Sequence, residues 1–161
     1  MIDAQDNILE VLQYPHEILR KVSAPVSDQE FGTLELMEFS QAMIATMNKQ
    51  GGVGLAAPQV GRSLRMFVML NSDFLTSTIY INPRIVSKSL ETVASVEGCL
   101  SFKGYTTMMI THAKEVTMHA YDVNGQPFER ILTGLMAQCA QHEYRHLDGE
   151  LIIDHESNKK V

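Results

Sequence analysis

Two histidines four residues apart bound the segment His142-Glu143-Tyr144-Arg145-His146. On a helix, residues i and i+4 lie one turn apart on one face, so both imidazoles can reach a single metal ion. Glu143 directly follows the first histidine, which places it beside such a metal rather than on it. There its carboxylate can take a proton from an activated water and return it to a leaving group. A divalent cation lowers the pKa of bound water from ~16 toward ~7, so hydroxide becomes available at neutral pH.

Two histidines need a third ligand, and its identity decides the class. One zinc-protease pattern continues to a glycine and then a third histidine. Gly149 stands at the glycine position, but Ile152 occupies the histidine position. Another pattern uses a glutamate on a second helix, and only 15 residues follow His146. Of the acids and histidine there, His155 and Glu156 read as solvated tail residues. The better candidate lies upstream, Cys99 in Glu97-Gly98-Cys99-Leu100-Ser101. A thiolate binds Zn(II) or Fe(II) strongly, and the neighbouring glycine allows close backbone approach. Cys139 is the competing thiol. It lies seven residues before His146 on the same helix, about 10 Å along the axis, too far to join both histidines on one ion. A pocket-lining or core place suits it better. Two histidines and one cysteine leave a tetrahedral position open, which is the catalytic kind of site.

These groups need elements to hold them. Leu36, Met37, Phe39, Met43, Ile44 and Met47 recur at helical spacing from Leu34 to about Lys49, and Gly51-Gly52 ends that helix. Between Pro15 and Pro25 the run EILRKV reads as a short helix. Strand-like runs follow at 65–70, 77–82, around 84–93, 106–111 and 115–122. Asn124-Gly125 signals a tight hairpin, since both residues tolerate positive φ, with PFERIL as the returning strand. From Gly134 to about Leu147 the pattern turns helical again. The expected fold is α+β, with an early helix, mostly antiparallel sheets and a late metal-binding helix, in one domain over residues 1–161.

With 161 residues and 45% apolar content the chain can bury a real core. A net charge of −6 and a pI near 5.4 argue against direct nucleic-acid binding. No apolar run is long enough to span a membrane, and the first residues lack the features of a secretion signal. A cytoplasmic protein is the expectation, and two cysteines fit a reducing compartment. If Cys99 ligates metal, a disulfide to Cys139 is excluded.

Three segments together resemble the peptide deformylases: Gly52-Val53-Gly54-Leu55-Ala56-Ala57-Pro58-Gln59, then Glu97 to Ser101, then Gln141 to Leu147. The resemblance extends from LQYPHEILRKVSAPV to HLDGELIID. It implies a metal-dependent hydrolase that removes the formyl group from N-formylmethionine on nascent polypeptides. On that resemblance, metal-bound hydroxide attacks the formyl carbon and Glu143 is the general acid/base. The side-chain amide of Gln59 and the backbone N–H of Leu100 stabilise the oxyanion. Val53, Gly54 and Leu55 pair with the peptide as an added strand, and Cys139 forms one wall of the methionine pocket. The resemblance also implies one divalent metal ion on Cys99, His142 and His146. Fe(II) is native in many relatives, and Zn(II), Ni(II) or Co(II) can occupy the same ligands. The ten methionines read as core filler rather than as a methionine-selective surface.

The chain departs from the family in several places. Arg145 stands where the motif has Asp, and His112 where a strand Arg is common, which suggests one exchanged arrangement around the metal. The other reading of Arg145 is an exposed helix charge paired with Asp148. Lys103 and Thr106 replace a Pro and a substrate-contacting Arg. After His146 the chain is too short for the long basic helix by which many bacterial members dock on the ribosome, which leaves a transient ribosome contact. The alternatives are hydrolysis of another small N-acyl peptide substrate, or a catalytically impaired peptide-binding relative.

Overall fold

The computed structural model describes residues 7–104 and 107–157, so Thr106 and residues 158–161 lie outside the described residues. Among the described residues, helix α1 (Leu34–Lys49) and helix α2 (Gly134–Leu147) are joined by seven strands. These are β1 (Gly54–Ala56), β2 (Met66–Leu70), β3 (Ser77–Lys88), β4 (Thr92–Glu97), β5 (Met108–Ala113), β6 (Glu115–Tyr121) and β7 (Pro127–Thr133). All pairings between strands are antiparallel. One sheet runs β1-β2-β3-β6-β7, and β4 with β5 makes a second, two-stranded sheet. The α+β expectation therefore holds.

Strand β2 shows why the large sheet sits where it does. Met66, Phe67, Val68 and Met69 are all buried, because both faces of the strand are covered. Met66 and Val68 join Leu36, Met43 and Met47 of α1 on one side. Phe67 and Met69 join Met136, Ala137 and Ala140 of α2 on the other. Alternation along the strand thus divides its side chains between two cores. Helix α1 starts at Thr33, whose Oγ1 accepts the Leu36 N–H, and its last regular residue is Lys49, just before Gly51. No helix is long and apolar enough to cross a membrane among the described residues.

Two strand expectations need correction. The runs at 77–82 and 84–88 form one strand, β3, and β4 begins only at Thr92. Pro83 falls in a bulge between Ile81 and Arg84, where no ladder N–H is required. Asn82, at φ +48°, turns its amide away to accept from Val26 N–H at 2.8 Å and donate to Val26 C=O at 2.9 Å. In the β6–β7 hairpin only Gly125 takes a positive φ, +80°, and Asn124 does not. Asp122 makes the difference: its Oδ1 accepts the N–H groups of both Asn124 and Gln126.

The run EILRKV forms only one short 3-10 turn, Glu17–Arg20. Nor is the chain after α2 a solvated tail. Residues Ile152–Asp154 form another 3-10 turn, His155 Nε2 meets Glu150 Oε2 at 2.5 Å, and Glu156 bridges to Ile110 of β5. Leu151 and Ile152 close a third apolar cluster with Leu19, Phe102 and Ile110 beneath the Cys99 loop.

Candidate metal and catalytic site

Helix α2 is tied to β5 by one side chain. Gln141 Oε1 accepts from Ala113 N–H at 3.0 Å, and its Nε2 donates to Ala113 C=O at 2.9 Å. The amide acts as an extra rung on the small sheet, so the loop leaving β4 arrives over the helix. That loop carries Cys99. Gln13 clamps it from the other side: its Nε2 donates to Leu100 C=O and its Oε1 accepts from Lys103 N–H, both at 2.9 Å.

Cys99, His142 and His146 consequently meet, with their ligand atoms all within 4.8 Å of one another. The two Nε2 atoms are 3.2 Å apart, and Cys99 Sγ lies 3.5 Å from His146 Nε2. A tetrahedral ion with bonds of about 2.1 Å to nitrogen and about 2.3 Å to sulfur separates its ligands by about 3.4 Å (N to N) and about 3.6 Å (N to S). The donor set fits a divalent cation. Both thiols are free. Cys139 is no ligand; burial raises its pKa well above the usual thiol range, which keeps it neutral.

His142 is oriented by Glu97. Its Nδ1 lies 2.9 Å from Glu97 Oε1, while Glu97 Oε2 meets Nε2 of the buried His112 at 2.8 Å. A carboxylate only accepts, so Nδ1 of His142 carries the proton and Nε2 presents its lone pair to the site. Burial works to raise the Glu97 pKa, but the two histidine hydrogen bonds outweigh it and bring it to about 2. This role of Glu97 is not among the sequence expectations; its signal in the sequence is an acid two residues before Cys99. His112 does join this arrangement. Arg145 makes no hydrogen bond or ion pair to Glu97 or His112 among the described residues: it is half-buried and lies within the field of Glu97 and Glu150. It does not pair with Asp148, which binds Arg65 at 2.9 Å instead.

Glu143 lies beside the ligand cluster, only 3% exposed, and its Oε2 has no hydrogen-bond partner among the described residues. Burial, reinforced by the charge of Glu97 and opposed by His142, raises its pKa to about 7. A carboxyl group near neutrality can both take and give a proton. Gln59, in the 3-10 turn Ala57–Val60, is buried as well. Its Oε1 accepts from Ala56 N–H, which turns its Nε2 donor toward Cys99 Sγ at 3.5 Å and Ser101 Oγ at 3.1 Å. The Leu100 N–H has no acceptor among the described residues.

These groups open onto a cleft of about 420 Å³ lined by Val53, Gly54, Leu135 and Cys139 as well as by the site itself. Strand β1 pairs on one side only, with β2, so backbone beside the cleft remains for an added strand. Leu55 is fully buried in the α1 core, so its side chain packs inward. Gly54 is needed for close approach. A Cβ there would lie 2.7 Å from both Cys139 Sγ and Glu143 Oε1. Lys103 turns away to Gln50, with Nζ 2.9 Å from Oε1. Of the site residues expected from the sequence, Val53, Gly54, Gln59, Cys99, Leu100, Cys139, His142 and Glu143 line this cleft, buried His146 completes the ligand cluster beside it, and Leu55 packs into the α1 core.

The family model for polypeptide deformylase matches residues 8–161. The chain is 44% identical over 140 residues to a peptide deformylase 1 of Clostridium perfringens, covering 87% of this chain and 92% of that protein. It is 40% identical over 148 residues to a peptide deformylase of Dehalococcoides mccartyi, covering 92% and 86%. The crystal structure of a peptide deformylase from Thermotoga maritima superposes with a TM-score of 0.87 at 37% identity, covering 93% of this chain and 98% of that one. A Met-Ala-Ser-bound class I type b peptide deformylase from Acinetobacter baumannii gives 0.87 at 31% identity, covering 92% and 98%.

Proposed function

The chain belongs to the polypeptide deformylase family, a family of hydrolases that deformylate peptides, and from that premise we propose how its residues divide the work. Cys99, His142 and His146 hold one divalent cation, whose Lewis acidity makes hydroxide available near neutral pH. The thiolate and imidazole set suits Fe(II), the native ion in this reading, and Zn(II), Ni(II) or Co(II) as replacements.

Glu143 takes the proton of the attacking water and passes it to the departing amine nitrogen. Gln59 Nε2 and the Leu100 N–H donate to the formyl oxygen as negative charge develops on it; one such donor is commonly worth about 10²–10³ in kcat. The substrate backbone pairs along Val53, Gly54 and Leu55 as an added strand. Its first side chain, methionine, enters the cleft against Cys139 and Leu135. The Acinetobacter baumannii relative holds Met-Ala-Ser, and a formylated peptide of that kind is the proposed substrate here. Nascent chains emerging from the ribosome in the cytoplasm are its natural source.

The observation that carries this reading is the buried, unpartnered carboxyl of Glu143 beside a three-ligand cluster of the correct spacing. The test is formate release from formyl-Met-Ala-Ser by protein purified without oxygen and loaded with Fe(II) or Ni(II). Glu143→Ala at equal metal content should lose at least about 10²-fold in kcat. A fully metallated wild type that released no formate, yet cleaved an acetylated peptide, would overturn the formyl assignment.

A further inference from the structure

Five polar side chains of the cleft, Gln59, Glu97, Cys99, His142 and Glu143, are committed to the ligand cluster and the proton-transfer centre. Among the described residues, one further polar side chain lines the same cleft, that of Gln138. It lies four residues before His142 and three after Leu135, so the three share one face of α2, and it stands about 6 Å along the axis from the ligand histidine. Gln138 also borders a second cavity, about 690 Å³, together with Val93, Leu90 and Thr133, so it stands where the two spaces adjoin.

This amide is braced. Ser95 Oγ on β4 donates to Gln138 Oε1 at 2.6 Å, across the gap between the small sheet and the helix. With Oε1 occupied, Nε2 is the free end of an amide that lines the cleft, and it has no hydrogen-bond partner among the described residues. Among the described residues the rest of the pocket wall is apolar, built from Val53, Leu135 and the neutral thiol of Cys139.

We propose that Gln138, braced by Ser95, is a specificity-determining residue whose amide N–H lets the pocket accept N-formylmethionine sulfoxide as well as N-formylmethionine. The proposal rests on the deformylase reading for its substrate class. A thioether sulfur is a weak acceptor, whereas oxidation converts the side chain into a polar one ending in an S–O group. Burying that oxygen against purely apolar walls would forfeit its hydrogen bonds to water, at a cost of about tenfold or more in affinity. A donor in the wall replaces one of them.

The test compares two substrates on each enzyme, so that active fraction and metal content cancel in the ratio. kcat/KM is measured for formyl-Met-Ala-Ser and its methionine-sulfoxide counterpart with wild type, Gln138→Leu and Ser95→Ala. Wild type should handle the oxidised peptide within about tenfold of the unoxidised one, and Gln138→Leu should widen that gap about tenfold further. Ser95→Ala, which leaves the amide but frees it to rotate, should widen it less. Calorimetric binding of the free peptides Met-Ala-Ser and Met-sulfoxide-Ala-Ser gives the same comparison without turnover. If no formate is released from formyl-Met-Ala-Ser, the deformylase reading fails, and the binding ratio still decides the role of Gln138. An equal sulfoxide-to-methionine ratio in wild type and Gln138→Leu overturns the proposal.

Discussion

Glu97 Oε1 lies 2.9 Å from Nδ1 of His142, on the far side of the imidazole from the ligand cluster. The contact selects the tautomer and fixes the ring plane before any cation arrives. Glu97→Gln retains the shape but offers one acceptor oxygen to two histidine donors. Affinity for Zn(II) should fall about 10–100-fold, measured by competition with a chromophoric chelator. Unchanged affinity would show that packing alone orients the ring.

Gly54 is where the substrate strand and the chemistry come closest. Gly54→Ala would drive a methyl group against Cys139 Sγ and Glu143 Oε1. The expected cost is about 1–3 kcal/mol of stability and about a hundredfold in kcat/KM from displacement of Glu143. Thermal unfolding and steady-state kinetics check the two separately.

The amide of Gln141 is 3% exposed and serves both backbone groups of Ala113. Gln141→Leu leaves a buried N–H and C=O without partners, which should cost about 2–3 kcal/mol. Because this rung carries the β4–β5 pair, metal affinity should fall with it. Urea unfolding and chelator competition on the same sample test the link.

Arg20 and Asp154 pair at 2.6 Å between the two 3-10 turns that flank the third core cluster. Burial acts to raise the Asp154 pKa, but the Arg20 hydrogen bond and the Leu151 N–H outweigh it, so the pKa is lowered on folding. A lowered carboxyl pKa adds stability above the unfolded value, near ~3.9, and that stability is lost as pH falls through the folded value. Both side chains are more than a third exposed, at 42% and 35%, so the contribution is below about 1 kcal/mol. Asp154→Asn should lower Tm by a few degrees at most at neutral pH. The difference from wild type should shrink below about pH 4. A constant difference across that range would contradict the assignment.

Much of this protein was legible in the sequence because it depends on neighbours along the chain. The i, i+4 spacing of His142 and His146 specifies a shared helical face, and Glu143 follows from the same periodicity. The ends of α1, the antiparallel runs and the exclusion of Cys139 as a ligand likewise need only rise per residue and turn chemistry. The choice of Cys99 came from elimination among distant candidates, and the sequence contained too few thiols to leave many.

Tertiary structure decided the relationships that cross between elements. Glu97 reaches His142 and His112 only because β4 pairs with β5 in one register and Gln141 docks that pair on α2. Pro83 is tolerated within β3 because Asn82 turns outward to Val26. The chain after α2 packs because Leu151 and Ile152 find Leu19 and Ile110. Ser95 and Gln138 meet across the gap between the small sheet and α2. Each depends on where separate segments meet, and side-chain periodicity within a segment carries no information about its register against another.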